Sequence, residues 1–329
     1  MRRRRIDPTT IIIAALCTLV AVAAVFLIME IASVKNSHAP ADASLVDRTE
    51  TAWGSKLTYK DQKYTQKDGL TTVLLLGVDY GGEEDDRTVG TGGRADTIVL
   101  LILDDKAKTS TTLSVNRDTI TEVDLYDNKG EYMYSGDMQI NMQYAFGDSR
   151  NRANYLMKKT VSELICGRRI DGTVALSLDG IPVIADLIGG LTLTMNEDYT
   201  YIDPRFTKGA TMTLNGEDLE HFIRYRDVDE TGSNEVRMAR HQWLIQQLFE
   251  ALGSNGMSEL AEKIMDGADD YIETDLDAET IKKIAQYKMN EEGLKVPGQT
   301  VEGENHDEFY VDQASLEQLL LELFYDPSN

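Results

Sequence analysis

An apolar run from Ile11 to Met29, interrupted only by Thr18 and preceded by Arg2, Arg3, Arg4 and Arg5, limits this chain more than any other feature. About 20 such residues, rising 1.5 Å each, cross the hydrocarbon core of a bilayer. A single central charge would cost roughly 2.5–3.5 kcal/mol on insertion, and the run carries none. The sequence therefore predicts one transmembrane helix over 11–33 behind a basic tail over 1–10. Arginines on the N-terminal flank keep that end cytoplasmic and deliver the rest to the outer face, as a single-pass cell-membrane protein. The rival is a cleaved signal peptide, whose apolar region is shorter, about 7–15 residues. Either way the remainder is exported.

Residues 34–68 turn polar, with HAPADAS and TYKDQKYTQKDG, and show no sustained periodicity, which reads as an extracellular stalk. The remaining stretch, 69–329, is about 260 residues, enough for a sizeable core in one domain. Cys166 is its only cysteine, so no disulfide forms within it and no multi-cysteine zinc site exists. It ends an apolar helical pattern and reads as a buried thiol. The formal net charge of -23 argues against a nucleic-acid partner, which calls for a basic face.

Short Val-, Ile-, Leu- and Thr-rich runs predict strands at Thr72–Leu76, Thr97–Leu103, Thr111–Val115, Thr173–Leu178 and Leu191–Met195. Helical patterns interleave at Ile140–Phe146, Ala153–Ile165 and Ile181–Ile188, then at Gly216–Tyr225, Val236–Leu252, Met257–Met265, Ala278–Tyr287 and Gln313–Phe324. The alternation predicts an α/β domain, a sheet with helices on both faces. Composition leaves strand direction open.

Asp79 follows the first strand and Asp96 opens the second. Two readings are open: strand-end turn formers, or carboxylates that jointly hold Mg²⁺ together with substrate phosphate oxygens. Arg94 lies two residues before Asp96, and Arg117 stands just past the third strand. Arg224 and Arg226 end one helix, while Arg237 and Arg240 share a face of the next. Guanidinium forks match phosphate oxygens bidentately, so a pyrophosphate fits such a set. Pairing of each arginine with a neighbouring acid is the plainer alternative.

In combination, TVLLLGVD, RADTIVLLIL, LSVNRDT, QINMQYAFGD, DGTVALSLDGIPVIADLIGGL, LNGEDLEHFIRYR and VRMARHQ resemble, in order, the LytR-CpsA-Psr family of cell-envelope glycopolymer ligases. The resemblance covers most of the exported chain. It implies an α-β-α domain with a central mixed β-sheet. It also implies an enzyme that moves a glycopolymer, such as wall teichoic acid or capsule polysaccharide, from a polyprenyl-pyrophosphate carrier to a peptidoglycan hydroxyl. Asp79 and Asp96 match the family's metal-binding carboxylates, for Mg²⁺ or Mn²⁺. Arg94, Arg117, Arg224, Arg226 and Arg237 match its pyrophosphate-binding arginines, with Asp79, Asp96 and Arg117 at the chemistry and Arg240 among the substrate-binding set. Ile181, Val183, Ile184, Leu187 and Ile188 are candidates for a lipid pocket. Gln139 replaces a frequent lysine at a substrate-facing position, Asn234 stands near a common aspartate, and Ala95 and Asn116 replace Ser and Pro. The alternatives are a non-catalytic envelope protein that binds polyprenyl-linked saccharide or peptidoglycan, and a polyprenyl-pyrophosphate hydrolase. The general base is open between the two aspartates, His221 and His241.

Overall fold

The computed structural model describes residues 53–79, 88–177, 179–187, 189–225, 236–237, 240, 243–244, 269–276, 287–290, 293–303 and 306–328. The expected tail and anchor lie outside these residues, as do Arg226, Asn234 and most of the helices expected between 236 and 286. Among the described residues, no helix is long and apolar enough to cross a membrane.

The end of the expected stalk is packed structure. Strands β1 (Lys56–Tyr59) and β2 (Gln62–Gln66) form a hairpin, closed by Lys60 and Asp61 at φ 47° and 66°. Two positive-φ residues suit the twist of a two-residue hairpin loop. The hairpin pairs with the C-terminal strand Tyr325–Ser328, so the packed region starts before residue 69.

The central sheet is built on β3 (Leu70–Val78), β4 (Ala95–Asp104) and β5 (Thr109–Val115), an antiparallel meander. A hairpin follows, β6 (Ile120–Tyr126) and β7 (Tyr132–Gln139), then a 3-10 helix at Ile140–Phe146 and helix α1 (Arg150–Leu164). The Ser149 side chain accepts from the Arg152 amide at 3.2 Å and so starts α1. From α1 the chain returns as β8 (Gly172–Ser177), parallel to β3. Helix α2 (Gly180–Leu187), the hairpin β9 (Leu191–Thr194) and β10 (Thr211–Leu214), and helix α3 (Gly216–Arg224) come next. The Asn215 side chain caps α3, accepting from the Asp218 amide at 2.9 Å. Beyond them lie β11 (Ile272–Thr274), β12 (Lys288–Met289), β13 (Leu294–Lys295), the hairpin β14 (Gly298–Glu302) and β15 (Asp307–Val311), helix α4 (Gln313–Phe324) and β16 (Tyr325–Ser328).

The seven-stranded sheet runs β11-β8-β3-β4-β5-β12, with β13 also on β5. The β11–β8, β3–β4 and β4–β5 pairs are antiparallel, while β8–β3, β5–β12 and β5–β13 are parallel, so the sheet is mixed. Leu74, Leu76, Leu100, Ile102 and Leu113 point to one face and meet Met157 and Val161 of α1 and Leu316 and Leu320 of α4. The alternate residues Val73, Val99, Leu101 and Leu103 are equally buried. Both faces are thus covered, which explains the unbroken apolar runs of β3 and β4 where a half-exposed strand would alternate.

Candidate functional site

The ends of β3, β4 and β8 meet at one edge, and the register sets what they present. Gly77 pairs with Thr97 and Val78 with Ala95, so the ladder skips Asp96, a β-bulge. Such an extra residue re-aims a side chain locally. One step on, the Asp79 amide donates to the Arg94 carbonyl at 2.9 Å. Asp79 and Asp96 therefore leave neighbouring strands at the same level.

Asp96 is gripped by two guanidinium groups. Arg117 Nη1 donates to Asp96 Oδ1 at 2.5 Å, and Arg237 Nη1 lies 3.6 Å from Oδ2. The three side chains are 14%, 15% and 9% exposed for Asp96, Arg117 and Arg237. Charges so far from water are stable only when paired.

Arg117 itself sits in a locked turn. Asn116 Oδ1 accepts from the Asp118 amide at 2.9 Å, and the Thr119 hydroxyl donates to the Asn116 carbonyl at 2.6 Å. Arg117 Nε lies 3.4 Å from Asp118 Oδ1, and Gln139 Nε2 donates to that same oxygen and to the Asp307 carbonyl, both at 2.9 Å. Gln139 thus ties the turn to β15.

Arg224, at the end of α3, gathers three acids. Its Nη1 is 3.2 Å from Asp79 Oδ1, its Nη2 is 2.7 Å from Asp179 Oδ1, and its Nε is 3.0 Å from Glu220 Oε1, one helical turn earlier. Asp79 and Asp179 are half-exposed. Arg94 is exposed, and among the described residues no carboxylate pairs with it.

Arg240 has a different setting. It is 2% exposed, donates through Nη2 to the carbonyls of Tyr225 at 2.5 Å and Ile223 at 3.3 Å, and stacks over Phe222 at 5.4 Å. Burial lowers its pKa from the ordinary value. It closes the C-terminal end of α3, whose last carbonyls lack helical partners. Sequence reasoning singled out neither Asp118, which directly follows Arg117, nor Asp179, whose Asp179-Gly180 pair carries only a turn signal.

The strand ends of a mixed α/β domain thus carry a compact cluster of arginines and carboxylates. Residues 32–324 match the profile of the LytR_cpsA_psr family, and the chain belongs to that family. Biofilm regulatory protein A of Streptococcus mutans serotype c is 25% identical over 246 residues, 69% of this chain and 58% of that protein. The polyisoprenyl-teichoic acid–peptidoglycan teichoic acid transferase TagU of Bacillus subtilis is 30% identical over 179 residues, 54% of this chain and 51% of that protein. The matches thus span little more than half the length of these two relatives. The crystal structure of B. subtilis TagU shares the fold, with a TM-score of 0.58 at 20% identity over 78% of this chain and 96% of that chain.

Proposed function

We propose that this chain is a phosphotransferase that moves a glycopolymer from a polyprenyl-pyrophosphate carrier to a peptidoglycan hydroxyl, forming a phosphodiester at the outer face of the membrane. The observation that carries this reading is the convergence of Arg117, Arg224 and Arg237 on Asp96 and Asp79 at adjacent strand ends. Family membership supports it, as does the polyisoprenyl-linked donor and peptidoglycan acceptor in the name of the relative TagU.

The donor set fits a hard divalent cation. Arg117, Arg224 and Arg237 lie against Asp79, Asp96, Asp118, Asp179 and Glu220, two more acids than arginines in these contacts. A pyrophosphate entering this set brings still more negative charge and calls for a counter-cation. Among the described residues no three His, Cys, Asp or Glu side chains gather for a metal. Mg²⁺ commonly takes one or two carboxylates and fills its remaining positions with water and substrate oxygens. Asp79 and Asp96 would hold it, and when bound it supplies neutralisation of charge on the phosphoryl oxygens.

The arginines bind and orient the two phosphates, and Arg117, fixed by Asp96 and Asp118, meets the charge that develops as the bond to the carrier breaks. Preorganised donors cost no rearrangement at that moment. The polyprenyl phosphate departs, and the glycopolymer phosphate stays on the sugar hydroxyl.

The test is release of polyprenyl phosphate from a lipid-linked glycan by the full chain in detergent, with peptidoglycan present, with Mg²⁺ or with excess chelator. Wild type should release it only with Mg²⁺, Asp79→Ala should not, and Arg224→Ala should bind the donor at least about tenfold more weakly. Donor binding with no release would favour the adaptor reading, and equal release without peptidoglycan the hydrolase.

A further inference from the structure

The transfer reaction needs a group to take the proton of the attacking hydroxyl, and the cluster contains one carboxylate suited to it. We propose that Asp179 is that catalytic base, an inference that rests on the transferase reading above. Asp79 and Asp96 are committed to the cation in that reading, and a metal-bound carboxylate is a poor base. Asp118 is 4% exposed and accepts from Gln139. Glu220 meets Arg224 at Nε, on the stem side of the guanidinium. Asp179 is half-exposed and meets the terminal nitrogen Nη2, next to the Nη1 that meets Asp79.

Topology puts it there. Strands β3 and β8 are parallel neighbours, and Val78 pairs with Ser177. Asp79 follows Val78 directly, and Asp179 comes two residues after Ser177, where its amide donates to Ser177 Oγ at 3.3 Å. Both acids thus emerge at the carboxyl ends of adjacent parallel strands, where open α/β sheets bind ligands.

Arg224 Nη2 holds Asp179 Oδ1 at 2.7 Å. A pyrophosphate that takes the terminal nitrogens of Arg224 displaces Asp179 and frees its carboxylate to accept from the acceptor hydroxyl. The acceptor oxygen then forms its bond to the glycan-side phosphorus. The phosphorus–oxygen bond to the carrier breaks, its electron pair leaves on polyprenyl phosphate, and the hydroxyl proton passes to Asp179, which later yields it to water.

The experiment compares full-length wild type with Asp179→Asn and Asp179→Ala, measuring donor affinity and transfer to peptidoglycan separately. Asp179→Asn keeps an oxygen for Arg224, so donor affinity should stay within about threefold of wild type while kcat falls about 10²–10⁴-fold. Added formate should restore part of the turnover of Asp179→Ala. Transfer by Asp179→Asn within a few fold of wild type would overturn the proposal, and so would parallel loss of binding and transfer with no formate rescue. A wild type that binds donor but never transfers it sinks the transferase reading itself, and this inference with it.

Discussion

Replacing Asp96 with alanine tests the geometry of the cluster through stability alone. The change removes a charge-assisted hydrogen bond to Arg117 at 2.5 Å, a contact worth about 1.5–3 kcal/mol. It also leaves Arg117 and Arg237, 15% and 9% exposed, without their shared counter-charge. Removing one partner of a fully buried pair costs about 3–5 kcal/mol. Arg117 keeps Asp118 at 3.4 Å, so a loss near the lower end, about 3 kcal/mol, is expected. At roughly 2–4 °C per kcal/mol this lowers Tm by about 6–12 °C. Adding Arg117→Ala should then cost less than its own single effect, because no orphaned Arg117 charge remains, giving a coupling above about 1 kcal/mol in a double-mutant cycle. Thermal and urea unfolding read both numbers. Asp96→Ala within about 0.5 kcal/mol of wild type, or strict additivity, would refute a paired, desolvated cluster.

Three further outcomes follow from single contacts. Gly216→Ala would place a Cβ 2.3 Å from the Pro182 carbonyl oxygen, so it should destabilise by about 1–3 kcal/mol in urea titration as α2 and α3 are forced apart. Arg240→Met keeps the stem but removes the donor that Arg240 supplies to the Ile223 and Tyr225 carbonyls; it should cost about 1–3 kcal/mol and also weaken donor binding, because Arg224 projects from that helix end. Cys166 is buried, which raises its pKa to about 11, so it should resist a thiol reagent at pH 8 in the folded chain and react on unfolding. Because the folded pKa lies above that of an exposed thiol, this group lowers stability as pH rises above about 8.5.

How far the sequence discloses the fold depends on where the determining contacts lie. The strands around LLLGV and IVLLIL were legible because a strand buried on both faces needs an unbroken apolar run, and α4 was legible at Gln313–Phe324 from its helical apolar spacing. The β6–β7 hairpin was not. Asp124 is 3% exposed, paired with Lys159 at 2.6 Å and accepting from Ser135 at 2.6 Å, so a core position carries a residue that reads as surface. β16 contains Pro327, which argues against a strand except at an edge, and an edge is where β16 lies.

The site divides in the same way. Asp79, Asp96, Arg117, Arg224 and Arg237 were visible as charges beside apolar strands and helices, and the structure brings them together. The bulge that turns Asp96 depends on the pairing of two strands, which no local pattern encodes. Arg240, three residues after Arg237, looked like a second fork on one helix face, yet its guanidinium bonds α3 carbonyls. Gln139 holds Asp118 of the Arg117 turn and Asp307 of β15, positions far apart in sequence.

The most direct test of the central claim is mass analysis of peptidoglycan after incubation with the full chain, Mg²⁺ and a lipid-linked glycopolymer. The account predicts new glycopolymer joined through a phosphodiester to a peptidoglycan hydroxyl, with one polyprenyl phosphate released per chain attached. Polyprenyl phosphate released with no glycopolymer on the peptidoglycan would contradict it.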